Sequence, residues 1–405
     1  MIALAWRNLW RQPRRTLLSL AVIALAGAVT VFLLALQAGS YATMKNNTLG
    51  VFDGFAQVQQ PAYLDDPGIR RTIAHPKRLA QALEQIPGVE RVAPRAATYA
   101  LLSRESHSVG AYVVGVEPEV EAQVSSIPRS LRAGHQLSAG DAAEVVLGQA
   151  LARNLGVGVG DQVTLLGMAR DGSVAADVLT VRGIFDSGVN ALDRQLAELP
   201  LARFQADFAM PDMANVLVVS GHGLHRIQAA LPAIRRQVEA RGLAVRTWDE
   251  LEPGLASAIR LDASTSMLWY VSLVVVVVVL LLNTLLMSVL ERTREFGVLL
   301  ALGMRATRVG QMVWLELLLL LGLGLTAGIA LGGGLVAWYA VHGLALPGAE
   351  GVFAQWGLPS RMYPQFSAFS LLTGPAAIAL STTLAGIFPY LRIRHLRPVS
   401  AMRAV

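Results

Sequence analysis

Four long apolar runs, separated by stretches of mixed polarity, set the first-order pattern of this chain. Thr16 to Leu36 is uncharged over about 20 residues, the length needed to cross a bilayer. Met267 to Val289 and Phe366 to Leu391 repeat that pattern, and Val309 to Val341 does so with one charge, Glu316. From Ser40 to about Ala263 the chain changes character, with mixed charge, frequent Gly and Pro, and short alternating stretches. The pattern predicts an α-helical membrane protein with four transmembrane helices and a large mixed α+β extracytoplasmic domain between helices 1 and 2.

The boundaries follow from where charge and turn residues appear. An amphipathic helix is expected over 1–15 because Ile2, Ala5, Trp6, Leu9 and Trp10 share one helical face and Arg7, Arg11 and Arg14 another, with tryptophans at headgroup level. Helix 1 is expected over 16–39, the external domain over 40–265, helix 2 over 266–290, a short charged segment over 291–308 and helix 3 over 309–341. An external loop over 342–365, helix 4 over 366–391 and a tail over 392–405 complete the plan. The first apolar run is longer than the 7–15 residues of a signal h-region and is read as an uncleaved anchor.

Within 40–265, Leu79, Leu83 and Ile86 fall in helical register before Pro87-Gly88, and Ile227, Leu231, Ile234 and Val238 do so before Gly242. Each is followed by a strand-like stretch. Two α/β units, about 50–124 and 202–250, are therefore expected, with a β-rich insertion over about 125–201. In that insertion Val145 to Leu147, Gln162 to Leu166 and Val178 to Ile184 read as strands, and Gln149 to Leu155 as a helix ended by Gly156.

Composition strengthens the membrane reading. Hydrophobic residues make up 54% and charged residues 15% of 405. Mean hydropathy is +0.48, too apolar for an ordinary soluble enzyme. The net charge of +6 is carried almost wholly by arginine, Lys45 and Lys77 being the only lysines. The arginines gather beside the apolar runs, which argues for membrane topology and against nucleic acid as a partner. Arg7, Arg11, Arg14, Arg15, Arg292, Arg294, Arg305, Arg308, Arg392, Arg394, Arg397 and Arg403 fall on one side; Lys45, Arg260 and Arg361 fall on the other. Both termini are thus expected in the cytoplasm and the large domain in the periplasm. There is no cysteine, which excludes disulfides, thiolate metal sites and cysteine nucleophiles.

The candidate chemistry is sparse. Gly156, Gly158 and Gly160 follow a helix and precede a strand, the wrong order for a dinucleotide loop, and no GxxxxGK[ST] exists. His222 and His225 lack the companions of a metal site, so no metal and no catalytic residue is assigned. Near the membrane boundary, Glu291 and Glu295 would lie one turn apart if Glu291 to Leu302 were helical, a like-charge pair that makes sense against a basic partner. Phe296, Leu299, Leu300 and Met304 form an apolar stripe along the same segment. Asn283 is expected to bond to a neighbouring helix, and Gly324, Gly328 and Gly332 to form a groove for close helix approach, within the chain or across a dimer. Glu316, inside the third apolar run, is costly in hydrocarbon and so a functional candidate; pairing with a nearby arginine or snorkelling is the other reading. Phe52, Phe55, Tyr63, Trp248 and Leu251 stand near the ends of the external domain, either as core or as the lining of a cavity for a lipid-like molecule.

The stretch NTLLMSVLERTREFGVLLALGM (283–304) resembles the signature that ends the second membrane helix of MacB/FtsX-type ABC transporter permeases. LRPVSAMR near the C-terminus and AWRNLWRQPRRTLLS near the N-terminus are similar to other motifs of that family. VVLGQALARNLGVGVGDQVTLL and VRGIFDSGVNALDRQLAELPLARFQ look most like the lipoprotein-releasing LolC/LolE branch. The resemblance implies a permease subunit with no ATP site of its own, paired with a second permease copy as a homodimer or heterodimer and with two copies of a separate P-loop ATPase that binds ATP and Mg. It implies that Glu291, Arg292, Thr293, Arg294, Glu295, Phe296, Gly297, Leu302 and Gly303 belong to the coupling helix that touches the ATPase. It further implies mechanotransmission to external domains that grip a lipoprotein or lipid-like substrate in the outer leaflet of the bacterial inner membrane, with a periplasmic carrier or adaptor as a further partner. Export of peptides or antimicrobials, or signalling to a periplasmic hydrolase without transport, are the alternatives within the same fold.

Overall fold

A computed structural model describes residues 2–345, 347–348 and 361–394. The chain divides into two compact units, 1–43 with 258–405, and 44–257. The motif at 396–403, with Arg397 and Arg403, lies outside the described residues, and the loop expected over 342–365 is described only at its ends, where Leu344–Ala345 pairs antiparallel with Arg361–Met362.

Four helices are long and apolar enough to cross a membrane: Pro13–Val51, Pro253–Glu291, Ala306–His342 and Ala368–Leu391. The first two outrun the expected bounds of 16–39 and 266–290. Helix ends are set by backbone hydrogen bonding rather than by polarity, and residues 40–51 contain nothing that stops a helix. Termination comes at Gly54, whose positive φ of 73° and N–H bond to the Leu49 carbonyl close the last turn. Pro253 is the first residue of the second membrane helix, where its missing N–H costs nothing.

In the membrane unit the glycine groove is filled from within the chain. Gly324, Gly328 and Gly332 are buried. A Cβ on Gly324 would stand 2.6 Å from the Ile23 side chain, and one on Gly328 or Gly332 would stand 2.8 Å from the carbonyl of Ala24 or Ala28. The third membrane helix therefore lies directly against the backbone of the first. Asn283 is on an exposed side of the second helix and makes no hydrogen bond to a neighbouring helix among the described residues. The intrachain packing role expected of it is not made, because the stripe of that helix that faces its neighbours is the apolar set Val277, Leu281, Leu285 and Val289.

The strands of the external domain are β1 Ala56–Gln59, β2 Ile73–Ala74, β3 Arg91–Arg104, β4 His107–Val116, β5 Leu131–Gly134, β6 Glu144–Gly148, β7 Gln162–Met168, β8 Val174–Phe185, β9 Leu196–Pro200, β10 Met213–Ala214, β11 Val216–Ser220 and β12 Ala244–Thr247. The domain is built on one sheet in the order β12-β1-β11-β3-β4-β9-β6-β8-β5, with β7 joining β3 and β8, while β2 and β10 pair with each other apart from it. Helices Pro76–Glu84 and Leu224–Glu239 cover one face of β12, β1, β11 and β3, their Leu79, Leu83, Ile227 and Ile234 packing on Ala56, Val58 and Leu217. Gly156 caps Gln149–Leu155 in the left-handed region, φ 67°. The 14-residue β3 pairs with β11 through Arg91–Arg95 and with β4 from Ala96 onward. The β-rich segment is therefore continuous with the flanking units, since its β9 runs parallel to β4 and hydrogen-bonds to it directly.

Candidate functional site

The segment after the second membrane helix is not one helix. The helix ends at Glu291, Arg292 occupies a corner at φ −100°, ψ 9°, and a new helix runs Thr293–Ala301. Glu291 and Glu295 thus belong to different helices, and the expected like-charge repulsion along a single face does not arise. Gly303, at φ +94°, ends the short helix, and the Met304 N–H bonds to the Leu299 carbonyl. Phe296 and Gly297 are buried, with Leu299, Leu300 and Met304 partly buried against the membrane core.

The basic partner of the acidic residues is the chain's own N-terminal segment. Helix Ile2–Leu9 buries Ala5 and Leu9 and leaves Trp6 exposed; Trp10, just past its end, is also exposed, and the two rings meet edge to face at 6.1 Å. After Leu9 the backbone turns before Pro13 opens the first membrane helix. That turn brings Arg11 to 3.1 Å from Glu295 and Arg15 to 2.9 Å from Glu291. Arg15 also donates to the Thr284 carbonyl.

Arg292 points the other way. Its Nη1 donates to both carboxylate oxygens of Glu316 at 3.2 and 3.1 Å, and its Nε reaches Glu295 at 3.4 Å. Asn8 completes the site by donating to Glu316 Oε1 at 2.8 Å. Glu316 is 8% exposed, so of its two sequence readings the structure places it in an ion pair with a nearby arginine. Four elements thus meet through side chains: the N-terminal helix, the start of the first membrane helix, the corner after the second and the third. A cavity of about 320 Å³ lies among them, bordered by Arg11, Arg15, Thr284, Ser288, Arg292 and Glu316.

Facing away from this cluster, Arg294, Val298 and Leu302 are exposed at i, i+4 and i+8, Val298 at 48% and Leu302 at 80%. Asn8, Arg11 and Arg15 are the partners that sequence reasoning missed. The only available signal was a run of arginines read as a topology marker, since nothing in a chain order separated by about 280 residues says which arginine meets which glutamate.

In the external domain the five aromatic and apolar candidates separate. Phe55 packs toward the two-helix core, whereas Phe52, Tyr63 and Leu251 line a cavity of about 260 Å³. Trp248 lies under Lys45, 5.1 Å from ring centre to Nζ. Beside that cavity Arg95, 1% exposed, donates to both oxygens of Glu121 at 3.0 and 2.5 Å and to the Phe52 carbonyl at 2.7 Å. Glu198 is buried nearby, and its burial pushes it up to about 8, with Glu121 acting in the same direction and Arg95 against it. No group of three or more metal-ligating side chains occurs among the described residues.

Residues 16–237 match the family of MacB-like periplasmic core domains, and residues 267–398 match the FtsX-like permease C-terminal family. The lipoprotein-releasing system transmembrane protein LolC of Xylella fastidiosa is 25% identical over 342 residues, which cover 78% of each chain. The macrolide export ATP-binding/permease protein MacB of Rhodospirillum rubrum is 26% identical over 421 residues, covering all of this chain and 60% of the relative. The periplasmic region of MacB from Actinobacillus actinomycetemcomitans superimposes with a TM-score of 0.39 at 13% identity, over 53% of this chain and 97% of that one.

Proposed function

The chain belongs to the ABC transporter permeases of the MacB/LolC type, with a MacB-like periplasmic core domain and an FtsX-like permease region, and from that premise we propose that it draws a lipoprotein or lipid-like molecule from the outer leaflet of the inner membrane by mechanotransmission. In this reading both termini are cytoplasmic, two copies of a separate P-loop ATPase bind ATP and Mg, and a second permease copy completes the transporter. A periplasmic carrier or adaptor receives the substrate. ATPase closure pushes on Thr293–Ala301, and the push passes to the membrane helices.

The observation that carries the reading is the ion-pair cluster. A force on Thr293–Ala301 reaches the third membrane helix through Arg292 and Glu316, and reaches the N-terminal helix through Glu295 and Arg11. Charge-assisted hydrogen bonds fix the relative geometry of their partners, so a displacement of the short helix moves the groups bonded to it, most firmly at the half-dry Arg292–Glu316 pair. The ATPase-facing surface in this reading is Arg294, Val298 and Leu302, with the two glutamates turned toward the chain's own arginines. Pure signalling to a periplasmic hydrolase would use the same link and differ only in what leaves the external domain.

The test is purification of the tagged chain from native membranes with its co-purifying proteins. A stoichiometric P-loop ATPase is expected, lost in Val298→Asp/Leu302→Asp and retained in the charge swap Arg11→Glu/Glu295→Arg. Retention in the first variant and loss in the swap would mean that Glu295 itself docks the ATPase. Recovery of other membrane complexes with no ATPase would remove the engine from this reading.

A further inference from the structure

The 260 Å³ cavity of the external domain has no part in the coupling described above. It lies on the face of β1 opposite the two-helix core: Ala56 and Val58 point into that core, so Gln57 and Gln59 point the other way. Tyr63, Leu64 and Pro67 from the loop after β1 border it, with Tyr112 and Val114 of β4 and Leu251.

Its polar groups are unevenly committed. Three donors of Arg95 are used on Glu121 and Phe52. The Tyr63 and Tyr112 hydroxyls lie close enough to act on each other, Gln57 donates to the Asp53 carbonyl, and the Asp53 carboxyl lies beside that of Glu252. Gln59 differs. It is 1% exposed, and neither its amide nitrogen nor its amide oxygen has a partner. A buried polar group left unpaired is destabilising, and its retention inside a cavity needs a reason.

We propose that this cavity binds one peptide unit of an extended segment, whose N–H and C=O pair with the Gln59 side-chain oxygen and nitrogen. The neighbouring apolar side chain of that segment sits among Tyr63, Tyr112, Val114 and Leu251. A carboxamide is self-complementary to a peptide group, supplying one donor and one acceptor in a plane. An anion is disfavoured because the Arg95 charge is already met by Glu121, with the Glu198 and Asp53 carboxyls close by, and an acyl chain because it would leave Gln59 unpaired. The volume falls just short of the ~300–1,000 Å³ of small-molecule sites, which suits a single side chain with its peptide group. Tyr99, 65% exposed with its ring 5.1 Å from that of Tyr112, extends the aromatic surface outward. The inference needs no ATPase and stands apart from the transport reading.

The experiment uses the full chain in phosphatidylethanolamine/phosphatidylglycerol nanodiscs without ATPase or nucleotide. Ligand-detected NMR follows N-acetyl-leucylglycinamide and its ester analogue, in which the central N–H is replaced by oxygen. The amide is expected to bind saturably and the ester roughly tenfold more weakly, the scale of one lost hydrogen bond. Gln59→Leu is expected to bring the two to equal affinity and to raise the thermal unfolding midpoint. Tyr99→Ala, at an exposed position, weakens both probes alike. Equal binding of amide and ester to the unaltered protein, absence of saturable binding, or displacement of the amide by dodecanol with unchanged affinity in Gln59→Leu would each overturn the proposal. The amide–ester comparison needs no variant to fold.

Discussion

In the external domain Arg95 is 1% exposed and holds both oxygens of Glu121, with buried Glu198 alongside. In the membrane unit Arg11, Arg15 and Arg292 meet Glu295, Glu291 and Glu316, and side-chain exposure falls from 61% at Arg11 to 10% at Glu316. The chemistry is the same, and the solvent is not. A dry pair is fixed because breaking it strands a charge, whereas an exposed pair exchanges with water at little cost. The external cluster therefore behaves as scaffold. The graded cluster is firm at Glu316 and loose at Arg11, which suits a contact that is made and remade.

The strongest way to break this contrast is Glu121→Ala. It leaves Arg95 buried without its carboxylate and is expected to cost about 3–5 kcal/mol, read as a fall in the denaturant midpoint of the full chain. A loss under 1 kcal/mol would mean that Arg95 reaches water and that the two clusters are alike.

Glu198 sharpens the same point through pH. Its carboxyl titrates at about 8 in the folded protein against an ordinary 4.5, so the folded state holds a proton that the unfolded state releases. The stability this contributes is complete below about pH 4.5 and declines as pH rises through about 8. Glu252 and Asp207, pushed by burial up to about 7 and about 6, act in the same sense. Thermal midpoints of the full chain at pH 5.5 and 8.5 should differ by a few kcal/mol in equivalent stability, about 1.4 kcal/mol per pKa unit, and Glu198→Gln should flatten most of that slope.

Glu316→Gln ranks next. It retains an acceptor for Asn8 and loses the charge facing Arg292, so about 1–3 kcal/mol is expected, together with reduced stimulation of a bound ATPase. Arg11→Ala, at the exposed end, should change stability by less than about 1 kcal/mol while lowering the salt sensitivity of any ATPase stimulation. If Arg11→Ala proved as damaging as Glu316→Gln, the gradient would be wrong.

Much of the fold was written in local pattern. Four apolar runs and a polar region between the first two specify a membrane protein with one large external domain, because hydrocarbon thickness and backbone hydrogen bonding leave helices as the solution for such runs. The glycine spacing at Gly324, Gly328 and Gly332 likewise marked a close helix contact, since a missing Cβ at every fourth residue is a property of the sequence itself. Which helix fills that groove was not legible; Ala24 and Ala28 look like any other small residues until the first helix is laid against the third.

The candidate site divides along the same line. By itself the sequence determined that Glu291, Glu295 and Glu316 stand near a membrane boundary with arginines at hand, because residue identity and distance from an apolar run are one-dimensional facts. Tertiary structure alone decided that Arg292 forms a corner rather than a helical residue, that Arg11 and Arg15 answer the two glutamates, and that Asn8 joins Arg292 on Glu316. Those pairings depend on where a helix stops and which way a turn points, and both are settled by packing of Leu9, Phe296 and the third membrane helix. The unpaired amide of Gln59 is of the same kind: a glutamine in a strand reads as solvent-facing until the loop from Tyr63 to Pro67 is folded beside it.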